Sequence, residues 1–582
     1  MSGRARWLGR WRDALVLAAA AAAPAAGAAA ADPDYVIFNA KIITVDRDFS
    51  IAQAAAISKG RFLTVGSNEA VLRTAGPETR RVDLKGATVM PGMTDSHQNL
   101  ISRAETFDIA ADLGSVTSIA QIQEALRARL VATPPGQWII GTRGWWEYEL
   151  TDKRTPTRAD LDKVSTQHPI GIPGPHYWIF NSYALRQAKI TRDTPNPPGG
   201  EIYKDTRGEP NGLMMDRASR LVMTNFPTAN REEKRSGILK LIQRANSNGL
   251  TSVGETGGSL EDEALLKELH DEGRLTLRFD LGFTIDPTLL TEKLEQQLTA
   301  LGPPGRTWGD GMFRADTLSE TGLDGAEATA YLRHEYPGKP GYYGLRLVPG
   351  DNFTRFAVVA NRFGWRLRPH AVGDAAIDQA LTAYEAADAD RPIAHRRWMI
   401  DHAFLVRPDH YPRIKKLGMM INSQYMHNYQ LGELILKAWG REMADQSEPY
   451  ADWIANGIMF ANGSDGPVSY YSEPLLMIYG VVTRKTDWGG SLGPMQGISR
   501  EDAIRSVTIN SAHTTFEEQV KGSIEAGKYA DFVVLSDDIL TAPADKIKDL
   551  KVLTTVLAGK PIYGSLVPQA ASTTIQTEQG SR

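Results

Sequence analysis

The chain has 582 residues, too many for one simple core, so a large domain with a smaller companion is expected. A hydrophobic content of 42%, a charged content of 23% and a net charge of −4 fit a globular protein and exclude a general nucleic-acid binder, which carries a basic surface. With no cysteine, disulfides and thiolate ligands are excluded; any metal must be held by His, Asp, Glu, Asn or a modified Lys.

Residues 1–31 read as a signal peptide. Arg4, Arg6, Arg10 and Arg12 precede "ALVLAAAAAAPAAGAAAA", the composition of a cleavable secretory leader ending near Ala31. Its strongly apolar part is shorter than the roughly 20 residues that span a bilayer, which disfavours an uncleaved anchor. The mature chain is therefore expected in the periplasm or outside the cell. No later segment reads as a membrane span.

Residues 32–90 carry short β-like runs, "YVIFNAKIITVD", "AAAISKGRFLTVG" and "TRRVDLKGATVMPG", separated by Gly- and Asp-rich turns. Residues 516–566 repeat the pattern in "KGSIEAGKYADFVVLSDDIL" and "VLTTVLAGKPIYG". The two ends are expected to pair into one small β domain, with 91–515 inserted between them. In that middle, "ATVM" runs into Pro91-Gly92 and "TDSHQN", which reads as a buried strand delivering His97. Further strand-like runs follow: "QWIIGTRGW", "GLTSVGETG", "LTLRFDLGFTI", "WRLRPHAVG", "RWMIDHAFL", "GMMINSQYM" and "GIMFANGSDGP". Helical patterns such as "SIAQIQEALRARLVA", "REEKRSGILKLIQRANSN" and "AAIDQALTAYEAADA" lie between them. This β-then-α order predicts an α/β barrel or a doubly wound sheet. His97, Glu255, His370, His402, Gln424 and Asp465 each end a strand-like run, which favours the barrel, whose active sites gather at that end. Residues 567–582 are polar, unpatterned and expected to be disordered.

His97, His370, His402 and Asp465 form the chemical constellation. Each follows an apolar run and precedes a turn, so one barrel mouth could hold all four. Imidazoles and a carboxylate suit zinc, iron or manganese. Such an ion lowers the pKa of bound water to about 7, and a neighbouring carboxylate can move its proton. Taken singly, each residue also has a plain reading: a histidine near a strand end is commonly structural, and Asp465 in "NGSDGP" could be a turn residue.

These segments resemble the amidohydrolase superfamily, in the branch called amidohydrolase family 3, which includes N-substituted formamide deformylase-like enzymes. The resemblance spans residues 34–566. "MPGMTDSHQN" is similar to the family's Pro-Gly-(x)2-Asp-(x)-His-x-His, "RPHAVGD" to its fifth-strand His-(x)2-Gly-Asp and "MIDHAF" to its Glu/Asp-His segment. "NSQYMH" looks like its Gln-Pro-x-His and "NGSDGPV" like its Gly-Ser-Asp-x-Pro.

The resemblance implies a distorted TIM-like (β/α)8 barrel with a small β-sandwich built from both termini. It implies metal-dependent hydrolysis of a non-peptide C–N bond in an amide, formamide or cyclic amide. His97, His370, His402 and Asp465 would bind metal, with Asp465 also the general base. Asn99 stands where relatives have a second strand-one histidine and would be a weaker oxygen ligand. His176 and His427 would polarise the carbonyl or stabilise an oxyanion, unless they pack loops. Relatives often place a carbamylated lysine on strand four, but there is no lysine between Lys293 and Lys339; Asp316 or Glu320 could substitute. Both departures point to a single divalent ion, zinc first, with iron or manganese as alternatives. The rival readings are a non-hydrolytic lyase, dehydratase or isomerase on the same fold, with or without metal, and a noncatalytic binding protein. The expected partner is a small molecule, apolar or aromatic if Trp145, Trp146, Tyr177, Trp178, Tyr425 and Tyr429 ring the mouth rather than pack the loops. A homodimer is the assembly considered.

Overall fold

The computed structural model describes residues 32–566 except 115, 148, 175–176, 224–225 and 467–472. The expected leader and polar tail lie outside the described residues. No helix among the described residues is long and apolar enough to cross a membrane.

Eight parallel strands form a nearly closed barrel: β1 (Met93–Gln98), β2 (Leu250–Gly258), β3 (Arg278–Phe283), β4 (Phe313–Gly322), β5 (Arg366–Ala371), β6 (Met399–His402), β7 (Met420–Ser423) and β8 (Phe460–Asn462). Their spatial order follows the chain, as short right-handed β-α-β connections require. A parallel bridge from Gln98 to Gly466 brings the last strand back to the first.

Strict alternation along the strands explains the interior. In β3, Phe279, Leu281 and Phe283 join the large apolar core. Arg278 and Asp280 take the alternate positions, on the opposite face. In β5, Leu367 and Ala371 join the same core, while Arg366, Arg368 and His370 share the other face. On β5 the inward arginines are paired: Arg366 with Asp316 at 2.6 Å, and Arg368 with Asp401 at 3.1 Å.

The terminal segments form two sheets. One has four strands in the order 61–66, 54–58, 35–38, 80–83. The other has six, and its centre joins both ends of the chain: Phe532–Leu535 runs antiparallel to Thr88–Pro91. The expected pairing of the termini is thus present. Buried Arg278 of β3 ties the barrel to this domain through two bonds to Asp531, at 2.8 and 3.0 Å.

Two expectations need correction. "ATVM" is a strand of the terminal sheet, and the strand that delivers His97 is the following "MTDSHQ". "QWIIGTRGW" contributes only Ile139–Ile140, and to a separate five-stranded sheet with 170–174, 177–180, 210–216 and 200–204. This layer packs its own apolar cluster around Trp145, Leu113 and Ile172. It also brings Arg143 and Trp178 to the cavity over the barrel mouth.

Candidate active site at the barrel mouth

The C-terminal ends of β1, β4, β5 and β6, with the turn after β8, converge on one point. His97 is the penultimate residue of β1 and is fully buried. Its Nδ1 lies 3.4 Å from Asp401, which is held by Arg368 and by the side-chain amide of Asn422 at 2.8 Å. That carboxylate orients the ring, so Nε2 faces the mouth. Burial opposes charging of His97, but Asp401 and Asp465 hold its pKa well above the usual value.

His402 follows Asp401 directly. Alternation would send the two to opposite faces of the sheet. His402 instead has φ 69°, a left-handed conformation uncommon for any residue but glycine, and both side chains reach the same cluster. Glu320 and Asp465 are also left-handed, at φ 54° and 52°. Such strain costs on the order of 1–3 kcal/mol per residue and concentrates at functional sites. Burial, with His370 and His97 close by, holds the pKa of His402 well below the usual value.

The turn after β8 is fastened to β1. Asp95 accepts from the backbone N–H of Ser464 at 2.9 Å and from the hydroxyl of the same residue at 2.5 Å. Gly463 is required there, since a Cβ would lie 2.6 Å from the backbone nitrogen of His97. The backbone of Asp465 then donates to the His97 carbonyl at 2.9 Å. Burial opposes ionisation of Asp465, yet His97 and His427 hold its pKa well below the carboxylate range.

Three overlapping three-residue groups arise here with ligand atoms within 4.8 Å of one another: His97, His402 and Asp465; Glu320, His370 and His402; and His97, Glu320 and Asp401. His97 Nε2 and Glu320 Oε1 are 3.0 Å apart but have no hydrogen-bond partner, and both nitrogens of His402 are also without one. Buried polar atoms are normally satisfied. Lone pairs gathered in this way fit a cation, and the donor set of imidazoles and carboxylates suits a divalent transition metal.

The expected residues divide as follows. His97, His370, His402 and Asp465 are brought together. Glu320, not Asp316, is the strand-four carboxylate at the mouth; Asp316 is tied to Arg314 and Arg366 deeper in the barrel. Glu320 supplies the strand-four oxygen, so overlapping groups stand where a single one was expected.

Asn99 takes a different place from the ligand position expected. Its amide NH2 donates to Asp465 at 2.7 Å and its carbonyl accepts from Thr256 at 2.8 Å. The oxygen is therefore engaged away from the imidazoles. His427 also differs from an oxyanion donor: Nδ1 meets Glu327 at 2.6 Å and Nε2 meets Asp465 at 2.9 Å, so both nitrogens are committed to carboxylates. Burial works against its charge, but Glu327 and Asp465 push its pKa up to about 10. His176 lies outside the described residues. Glu255 accepts the backbone N–H groups of Leu100 and Ile101, both at 2.9 Å, capping the helix that follows β1.

The sequence reading missed Asp401, Glu327, Thr256 and Arg143. Asp401 adjoins His402 in "MIDH", which was its one local signal; the others meet the site only through tertiary contacts. Of the aromatic residues, Trp178 lines the cavity beside Phe107, whereas Trp145, Trp146 and Tyr425 are buried in packing.

A family model described as "Amidohydrolase family" matches residues 80–563. Protein LONG AFTER FAR-RED 3 of Arabidopsis thaliana is 28% identical over 548 residues, covering 91% of this chain and 91% of its own. N-substituted formamide deformylase of Arthrobacter pascens is 28% identical over 560 residues, covering 90% of this chain and 97% of its own. The crystal structure of an uncharacterized metal-dependent hydrolase from Pyrococcus furiosus superposes with a TM-score of 0.67 at 25% identity, covering 87% of this chain and 100% of that one.

Proposed function

Because the chain belongs to the amidohydrolase family, we propose that its barrel mouth hydrolyses a non-peptide C–N bond, in an amide, formamide or cyclic amide, with a divalent metal bound. The observation that carries this reading is the set of unpartnered ligand atoms on His97, His402 and Glu320 beside the ionised Asp465. The deformylase relative, named for acting on N-substituted formamides, agrees with the bond type.

His97, His402 and Asp465 would hold the ion, with Glu320 and His370 completing the second group. When bound, such an ion supplies Lewis acidity toward a carbonyl and acidifies water. Asp465 accepts the proton of the attacking water and returns it to the leaving nitrogen. Asn99 and His427 each donate to a different oxygen of Asp465, which fixes the plane of its carboxylate. Glu327 balances the charge on His427. Asp401 keeps the His97 ring in one tautomer and orientation. The basic-then-apolar leader supports export of the mature chain.

The test is metal content measured beside turnover of a panel of amides, formamides, imides and lactams in 18O-labelled water. Label in the carboxylate product is expected. Turnover without label would sink hydrolysis and favour the lyase or isomerase reading; turnover undiminished after metal removal would sink the metal role.

A further inference from the structure

Resting on the amide-hydrolase reading, we propose that the substrate carries a carboxylate close to the scissile bond and that Arg143 binds it. The class is an N-acyl or N-formyl amino acid with an apolar side chain.

Arg143 lies in the loop after strand Ile139–Ile140, in the layer that covers the barrel mouth. It lines a cavity of about 370 Å³ together with Asn99, Glu320, His370 and Asp465. That volume is in the range of small-molecule sites. Its polar partner among the described residues is one carbonyl, that of Gly174, at 2.7 Å. No carboxylate of the described residues forms an ion pair with it. A guanidinium carries five donors in a planar fork suited to carboxylate, so most of this capacity is unspent. An enclosed cation without a counterion is costly, and an anionic ligand relieves that cost.

The acidic groups at the cavity floor cannot play this part. Asp465 is held by His97, His427 and Asn99, and Glu320 faces the imidazoles. They would repel an anionic substrate placed at random. Arg143 resolves this by fixing the carboxylate on the covering wall, which leaves the amide directed at the floor. Arg143 and Asp465 line one cavity of about 370 Å³, so the two substrate groups that they would meet lie few bonds apart. An α-carboxylate beside an amide nitrogen meets that spacing. Arg103, from the helix after β1, adds a second basic side chain to the lining, and Phe107, Pro173 and Trp178 offer an apolar wall for the side chain.

The experiment compares N-formylphenylalanine, both enantiomers, with N-formylphenethylamine, which lacks only the carboxylate. With the metal-loaded wild type, kcat/KM is expected to favour the acid by roughly 100-fold, the worth of a charge-assisted bidentate contact. Arg143→Met should bring that ratio to near one, and Arg143→Lys should recover part of it. Equal turnover of the two amides, or a ratio unchanged in Arg143→Met, overturns the inference and leaves amide hydrolysis standing. A loss in Arg143→Met that is equal for both amides overturns it too, assigning Arg143 to the carbonyl. If neither amide is turned over, the hydrolysis reading fails for this class, and calorimetric binding to the same proteins decides. A preference for the acid that disappears in Arg143→Met supports the inference; equal affinities refute it.

Discussion

Asn99 and Asp465 are joined by a 2.7 Å hydrogen bond in which a neutral amide donates to the carboxylate that faces the imidazole cluster. Asn99 thus acts as a clamp on this carboxylate. Asn99→Ala should therefore lower kcat rather than metal content. A hydrogen bond to a charged group is worth about 1.5–3 kcal/mol, so the fall is expected at roughly 10- to 100-fold. Steady-state kinetics beside metal analysis checks this; a loss of metal with kcat per bound ion preserved would make Asn99 a ligand after all.

Asp465→Asn removes the proton acceptor and keeps the shape. Turnover should drop by roughly 100-fold or more, the usual contribution of general base catalysis. Circular dichroism should stay as in the wild type. Turnover near the wild-type level would remove Asp465 from its assigned role.

Of the two carboxylates considered for strand four, Glu320 is the one that meets His370 and His402. Glu320→Gln should weaken metal retention, read as a lower ion-to-protein ratio after dialysis against a mild chelator. If the ratio does not change, the group of Glu320, His370 and His402 holds no ion.

Away from the site, Asp487 is half-buried beside Glu149. Desolvation and the charge of Glu149 push its pKa up to about 8. A raised carboxyl pKa means the native state binds more protons than the unfolded state between about pH 4 and 8. Stability should therefore fall as pH rises through that window. Asp487→Asn should flatten the decline and stabilise the protein at pH 8 by at least about 1 kcal/mol. Denaturant midpoints measured from pH 5 to 9 give the comparison, and identical slopes in the two proteins would reject it.

Arg278 and Asp531 make a buried two-bond tie between β3 and the terminal sheet. Asp531→Ala leaves the guanidinium buried without its counterion. A loss of about 3–5 kcal/mol is expected. It would be seen as a lower denaturation midpoint, with terminal strands losing amide protection first. A midpoint within error of the wild type would show that water reaches Arg278.

The legible parts of the sequence were those with local signatures. His97, His370, His402 and Asp465 stand where a strand stops and a turn begins, so both position and chemistry were visible. Barrel strand β1 was hidden because "MTDSHQ" is polar yet buried; its partners are Ser464 and Asn422, hundreds of residues away. Asp316 and Glu320 could not be told apart from spacing, because β4 is irregular between Ser319 and Gly322 and Glu320 leaves the extended region. The covering sheet was misread as barrel because Ile139–Ile140 looks like any apolar strand. Arg143 had no signal at all: a lone arginine after a strand is distinguished only by the carboxylates that fail to meet it.

The pairing of Thr88–Pro91 with Phe532–Leu535 has a consequence for synthesis. The first of these segments leaves the ribosome more than four hundred residues before its neighbour exists. Until then it presents an unpaired, apolar edge immediately ahead of the first barrel strand, and such edges recruit other chains. Closure of the small domain must be a late event, and a chain truncated before Phe532 would be left with that edge permanently open.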